Sequence, residues 1–130
     1  MRTRTDTKNE RGQTMTELAL VLPILVVLVL GIAQFGVVFN NYVTMTDAVR
    51  AGARKAVVSR NLNDPAAACV TQVRDASGGL KQTDLTVSCS STWQPGADVT
   101  VTASYPYDIS LLGWVVASGQ LNSTMKERVE

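Results

Sequence analysis

The chain has 130 residues, a formal net charge of +1, no histidine and two cysteines. This length supports one small domain, and the dispersed basic residues form no aromatic-flanked patch of the kind that binds nucleic acid. We therefore expect no nucleic-acid partner. The absence of histidine excludes the Ser-His-Asp triad, the Cys-His pair and most metal sites, so we also expect no enzyme activity and no cofactor.

Residues 1–12 carry four basic and two acidic side chains and no apolar pattern, which predicts a short solvated arm. By the positive-inside rule, basic groups next to a membrane segment keep that end of the chain in the cytoplasm. Four basic residues on the far side of the apolar segment compete with this orientation: Arg50, Arg54, Lys55 and Arg60. We therefore expect a cytoplasmic N-terminus and an outward C-terminal part.

An apolar run follows, from Leu18 to Phe39, and Gln34 is its only polar side chain. As a helix it would be about 33 Å long, enough to cross a hydrocarbon core of about 30 Å. Pro23 has no N–H to give to the carbonyl of Ala19, so a kink or a loosened first turn is expected there. The run predicts one transmembrane helix.

The helix is predicted to continue to about Val58, because small and apolar residues recur at alternating spacings of three and four. This stripe comprises Phe35, Val38, Tyr42, Met45, Val49, Gly52 and Ala56. The opposite face is polar, and the small residues of this stretch would let a sheet approach the helix closely. The stripe fits either the core of the C-terminal domain or a contact with a partner helix.

A second, short helix is predicted after Asp64 as N-cap and Pro65 at the first helical position, ending at Gly78-Gly79. From Asp84 the apolar residues alternate, which predicts a strand that contains Cys89. Cys69 on the helix and Cys89 on the strand both face the apolar side. They are expected to form a disulfide if this part is exported, and two buried free thiols are the alternative.

Gln94-Pro-Gly-Ala97 predicts a type II turn between this strand and a second one, which closes at Tyr105-Pro-Tyr107. The two strands are expected to pair antiparallel. Asp108 to Gly119 is predicted to be an apolar connection that either covers one end of the core or remains exposed as a contact patch. A last strand is predicted from Leu121 to Val129.

Three stretches resemble one known family. They are Arg11-Gly-Gln-Thr-Met-Thr-Glu17-Leu-Ala-Leu-Val-Leu-Pro23, Gly31-Ile-Ala-Gln-Phe-Gly36 and Ala48-Val-Arg-Ala-Gly-Ala-Arg54. In this order they resemble the TadE-like minor pilins (pseudopilins) of Flp/Tad secretion systems. The resemblance is dense over the first sixty residues and continues in layout to a closing strand with Met125 and Glu127. It implies a type IV pilin-like α+β fold: a long transmembrane and amphipathic helix on a small antiparallel sheet, with one short extra helix.

The resemblance also implies that a prepilin peptidase on the cytoplasmic side removes a leader by cleaving between Gly12 and Gln13. By analogy with type IV pilins, Glu17 would neutralise the ammonium that cleavage creates at Gln13, in its own chain or on a neighbour. Without a partner, Glu17 would be a headgroup-level carboxylate that the dipole of a helix N-terminus favours. Leu18 stands where an aromatic residue is common in major pilins, which favours a minor component.

These expectations divide the chain into a cytoplasmic leader (1–12), the transmembrane and assembly half of the long helix (13–39) and an extracytoplasmic pilin-like domain (40–130). The expected function is that of a minor pilin in the initiation, priming or capping of a Flp/Tad-type pilus. The expected partners are other pilins, the Tad inner-membrane assembly platform and the prepilin peptidase. The expected location is the bacterial cytoplasmic (inner) membrane, with residence in a cell-surface pilus left open.

Two rival functions remain. An ordinary signal peptide that ends at Gly31-Ile-Ala33 would release a secreted, disulfide-bonded binding domain starting at Gln34. An uncleaved single-pass protein would anchor a domain in the cell envelope. The three alternatives differ in the first residue of the mature protein.

Overall fold

The computed structural model describes residues 6–129, and their side chains from Gly12 onward. The elements in chain order are α1 (Asp6–Val57), α2 (Pro65–Ala76), β1 (Thr86–Ser90), β2 (Asp98–Leu111) and β3 (Trp114–Arg128). The strands form one antiparallel sheet in the order β1-β2-β3. In the described residues α1 packs on β2 and β3, while α2 packs on α1 and β1. The predicted α+β fold is confirmed.

Helix α1 begins at Asp6, within the segment for which the sequence predicted a solvated arm. Once a helix is nucleated, each further residue adds one hydrogen bond, and residues 6–11 contain no proline or glycine to stop it. The helix ends at Val57, one residue before the predicted end. It continues through Pro23, and the kink expected there stays a prediction.

The stripe along α1 divides at Met45. From this residue onward its members are buried, and Met45, Val49 and Ala56 have no exposed surface. Phe35 and Tyr42, earlier on the stripe, are exposed. Core packing therefore accounts for the C-terminal part of the stripe, and the N-terminal part is free for other contacts.

Gly52 brings α2, rather than the sheet, close to the backbone of α1. A Cβ atom at this position would clash with the side chain of Val73 and would lie 3.4 Å from the carbonyl oxygen of Cys69. The sequence predicts that the small residues here let a sheet approach the helix. Gly52 is instead the point at which the two helices touch.

The start of α2 is as predicted and its end is not. Asp64 accepts a hydrogen bond from the Ala67 N–H at 2.9 Å, and Pro65 opens the helix. At the other end Ser77, not Gly78-Gly79, is the cap: its N–H donates to the carbonyls of Val73 and Arg74. The buried Ser77 hydroxyl also donates to the Arg74 carbonyl, so the cap needs no glycine at a positive φ.

A disulfide joins Cys69 in α2 to Cys89 in β1, across 20 residues of sequence. This confirms the predicted pairing. Cys69 is fully buried among the side chains of the core, and Cys89 is opposite Val101 of β2. The bond therefore ties α2 to the edge of the sheet.

Replacing both Cys69 and Cys89 by serine should lower the free energy of unfolding by about 3 kcal/mol, because a closed loop of this size restricts the unfolded chain. The measurement is the denaturant midpoint of the full chain in detergent. A reducing agent should lower the midpoint of the wild type by a similar amount and leave the double variant unchanged. Equal midpoints for wild type and variant would contradict the prediction, as would two reactive thiols in unreduced wild type.

Residues 106–120 form the outer half of a β-hairpin, where the sequence predicted a strand end followed by an apolar connection. Strand β2 continues through Pro106 to Leu111, and β3 begins at Trp114. Pro106 is tolerated because β1 pairs with β2 only as far as Ser104, so β2 has a neighbour on one side only at this point. The connection does not cover the core: Leu112, Trp114, Val115 and Val116 are exposed.

Candidate functional site

The candidate site is the N-terminal half of α1, from Gly12 to Phe39. Gly12, Gln13 and Glu17 lie within two turns of the helix, so the structure brings these three predicted residues together. The predicted disulfide lies apart from them, in the folded domain. The site thus consists of a short polar segment followed by an apolar one.

In the polar segment, Gly12 to Glu17, two of the side-chain hydrogen bonds each span one helical turn. The Gln13 amide nitrogen donates to a Glu17 carboxylate oxygen at 3.0 Å, and the Thr16 hydroxyl donates to the Gly12 carbonyl at 3.0 Å. All four residues are exposed. The four-residue spacing of both pairs puts their members on one helix face, but the sequence does not show which rotamers they adopt, so neither bond was predicted.

The Gly12 carbonyl belongs to the peptide bond at which the sequence predicts cleavage. Among the side chains that the structure describes, from Gly12 onward, no heavy atom would lie within 4 Å of a Cβ added at Gly12. A larger side chain is therefore accommodated there in the free chain. Any requirement for glycine at this position must come from a partner that binds the segment.

The apolar segment exposes large side chains on every face of the helix. Between Leu18 and Phe39 the exposed residues include Leu20, Ile24, Val29, Ile32 and Phe35. Within the described residues α1 is the one helix that is long and apolar enough to cross a membrane, and none of its most apolar window is buried in the fold. An all-round apolar surface of this kind is stable in lipid or among other apolar helices, so α1 fits a membrane anchor.

The described residues hold no group of three or more His, Cys, Asp or Glu side chains arranged to bind a metal ion. The carboxylate of this site is that of Glu17, and its hydrogen-bond partner is an amide of the same helix. The Glu17 carboxylate can form an ion pair, and the apolar segment that follows it can pack against other apolar helices.

A family model described as TadE-like protein matches residues 12–54, about a third of the chain. The match begins at Gly12, includes Glu17 and Pro23, and ends at Arg54, in the part of α1 that packs against the domain. The comparisons with curated proteins and with solved structures found no match. The resemblance inferred from the sequence is confirmed for this segment, and it points to a protein associated with Flp/Tad pili.

Proposed function

We propose that this chain is a non-enzymatic minor pilin that takes part in the initiation, priming or capping of a Flp/Tad-type pilus. In this role it is inserted in the bacterial cytoplasmic membrane, with its N-terminus in the cytoplasm and its domain outside. A prepilin peptidase removes residues 1–12. The mature chain then contacts other pilins and the inner-membrane assembly platform.

The observation that carries the proposal is the division of α1 into two parts with opposite surroundings. From Met45 onward one face of the helix belongs to the domain core, whereas the large apolar side chains from Leu18 to Phe39 are mostly exposed and make no contact with that core. One continuous helix joins the two parts. A subunit built this way can exchange lipid for neighbouring helices without changing its domain, which is what a pilin must do when it moves from the membrane into a fibre.

The helical state of the Gly12–Gln13 bond bears on its cleavage. A peptidase that binds this bond in extended form must first unwind the turn that the Thr16 hydroxyl helps to close. Glycine lowers the cost of unwinding by roughly 0.5 to 1 kcal/mol relative to alanine, and it lets the enzyme approach the backbone. Gly12 thus serves recognition in two ways.

Glu17 receives a new potential partner on cleavage. In the uncleaved chain its carboxylate accepts a bond from the Gln13 side chain. After cleavage the Gln13 nitrogen is an ammonium one helical turn away, or the ammonium of a neighbouring chain takes its place. Two opposite charges enter an apolar bundle at far lower cost together than singly, so the pair favours one axial register between helices.

The test is deletion of the gene for this chain in a host that carries the pilus machinery. Surface pili should be lost or strongly reduced, and re-expression of the wild-type chain should restore them. Pilus numbers are counted by electron microscopy, and levels of the other pilus components are checked in parallel. Unchanged pili in the deletion strain would contradict the proposal.

A further inference from the structure

The tip of the β2–β3 hairpin is an apolar patch with no evident role in the fold. We define the hairpin tip as residues Leu111–Val116. Trp114 is 81% exposed and Leu112 is 76% exposed, and Val115 and Val116 are exposed as well. Burial of the tip in an apolar medium would therefore be favourable, because it would remove a large apolar surface from water.

The turn residues indicate that the apolar tip is not there for folding. Leu112 and Gly113 have φ values of +52° and +86°, so the two-residue turn is of type I′. That turn favours asparagine, aspartate or glycine at both positions, and a leucine at positive φ costs roughly 1 to 2 kcal/mol. Leu112 is strained and exposed, so it does not stabilise the fold, which indicates that its side chain contacts something other than this chain.

Both faces of the ribbon are apolar at the tip. Successive paired residues of a strand point to opposite faces, so Val115, which pairs with Ser110, points away from Trp114, which pairs with Leu111. Val116 is the extra residue of a bulge at this point. From Ile109 to Ser118 the sequence contains no charged residue. Docking on a protein surface needs one apolar face, whereas immersion in lipid favours two apolar faces and disfavours charge increasingly with depth.

The contacts of α2 locate the base of the hairpin relative to α1. Gly52 of α1 lies against Cys69 and Val73 of α2, and residues 58–64 join the helices, so α2 folds back onto the C-terminal part of α1. Just beyond α2, the Lys81 N–H donates to the Tyr105 hydroxyl at 3.4 Å. The residues just after α2 therefore lie beside Tyr105, in the middle of β2.

The reach of the hairpin matches the position of the apolar segment. From Tyr105 to Leu111 an extended strand covers about 20 Å, the length of about 13 helical residues. The end of α2 is roughly level with Met45, given a rise of about 1.5 Å per residue in both helices. A β2 strand aligned with α1 would place the tip at or beyond the level of Phe39, where the apolar segment ends.

We propose that the hairpin tip inserts into the outer interface of the bilayer that α1 crosses, as a second membrane contact of the same subunit. Tryptophan is enriched at such interfaces because its ring is apolar and its N–H is polar. Two contacts would fix the tilt and rotation of the domain on the membrane, and the tip must leave the lipid when the subunit enters a fibre. The inference rests on the membrane insertion of α1 proposed above.

The test uses the two tryptophans of the full chain as matched probes. Trp93→Phe leaves Trp114 at the tip, and Trp114→Phe leaves Trp93, which packs against the core at the opposite end of β2. Each variant is reconstituted in phosphatidylcholine vesicles whose acyl chains are brominated near the headgroup. The Trp114 emission should be mostly quenched and that of Trp93 retained.

A further variant separates insertion from folding. Leu112→Asn in the Trp93→Phe background suits the turn, so the melting temperature should stay the same or rise while the quenching of Trp114 falls. Quenching of Trp114 no stronger than that of Trp93 overturns the inference. So does a Trp114 emission that shifts to the blue only as the protein density rises, which would indicate a second copy as the occupant. Chains that fail to float with the vesicles would instead refute the membrane anchor itself, and the tip contact with it.

Discussion

Gly12→Val should slow removal of the leader by roughly ten- to a hundredfold. The free chain has open space around this position, so the substitution does not disturb the fold. The expected effect comes from the peptidase, where a branched side chain beside the scissile carbonyl costs about 1 to 3 kcal/mol of overpacking. The ratio of uncleaved to cleaved chain is read by intact mass after expression with the cognate peptidase.

The matched control is Gly36→Val, which makes the same change in the same helix. Gly36 also has open space around its Cα, and it lies far from the predicted cleavage bond. This variant should be processed at the wild-type rate. Equal processing of Gly12→Val and Gly36→Val would show that Gly12 is not recognised.

Glu17→Gln should leave membrane insertion and processing intact and reduce incorporation into the pilus machinery by about a hundredfold or more. Removing one member of a buried ion pair costs about 3 to 5 kcal/mol, because the other charge is left unpaired. The glutamine can still accept the bond that the Gln13 amide donates to Glu17, so the helix is preserved. Incorporation is measured by co-purification with assembled pili.

The size of this effect separates two roles of Glu17. If its carboxylate only stabilises a helix N-terminus at the headgroup level, the loss is about 0.3 to 1 kcal/mol, at most about fivefold. The control is Asp47→Asn, which removes an exposed carboxylate of the same helix that pairs with Arg50 at 3.2 Å. That variant should assemble normally. An effect of Glu17→Gln no larger than that of Asp47→Asn would contradict the charge pair.

The elements that the sequence predicted well have strong local signals. Asp64-Pro65 marks the start of α2, Pro95-Gly96 forms a turn with Gly96 at a φ of +79°, and the alternation around Cys89 marks β1. The end of α1 followed from the stripe of small and apolar residues. The disulfide followed because both cysteines lie on apolar faces. In each case the local pattern and the packing of the domain agree.

The hairpin could not be predicted in the same way. Its tip is apolar on both faces, so the period of two that reveals a half-buried strand is absent. Leu112-Gly113 does not resemble the Asn-Gly or Asp-Gly pairs that signal a type I′ turn. Pro106 also indicates a strand end. It does not interrupt β2 because β1 pairs with β2 only as far as Ser104, so β1 does not need the N–H that proline lacks. The apolar faces and the Leu112-Gly113 turn, which hid the hairpin, are also the features on which the proposed membrane contact rests.

At the candidate site, the sequence placed Gly12, Gln13 and Glu17 together through the family resemblance. It did not show that the first of them lies in a helix that begins at Asp6. Nor did it reveal the bonds from Gln13 to Glu17 and from Thr16 to Gly12. These depend on side-chain rotamers along one helix face, which composition and periodicity do not determine.

The central claim is that the working form of this chain is a processed pilin. The most direct test is the N-terminal sequence and intact mass of the protein from the membrane and pilus fractions of its native host. We expect a mature chain that begins at Gln13. A chain that begins at Gln34, as after an ordinary signal peptide, or at Met1, as in an uncleaved anchor, would contradict it.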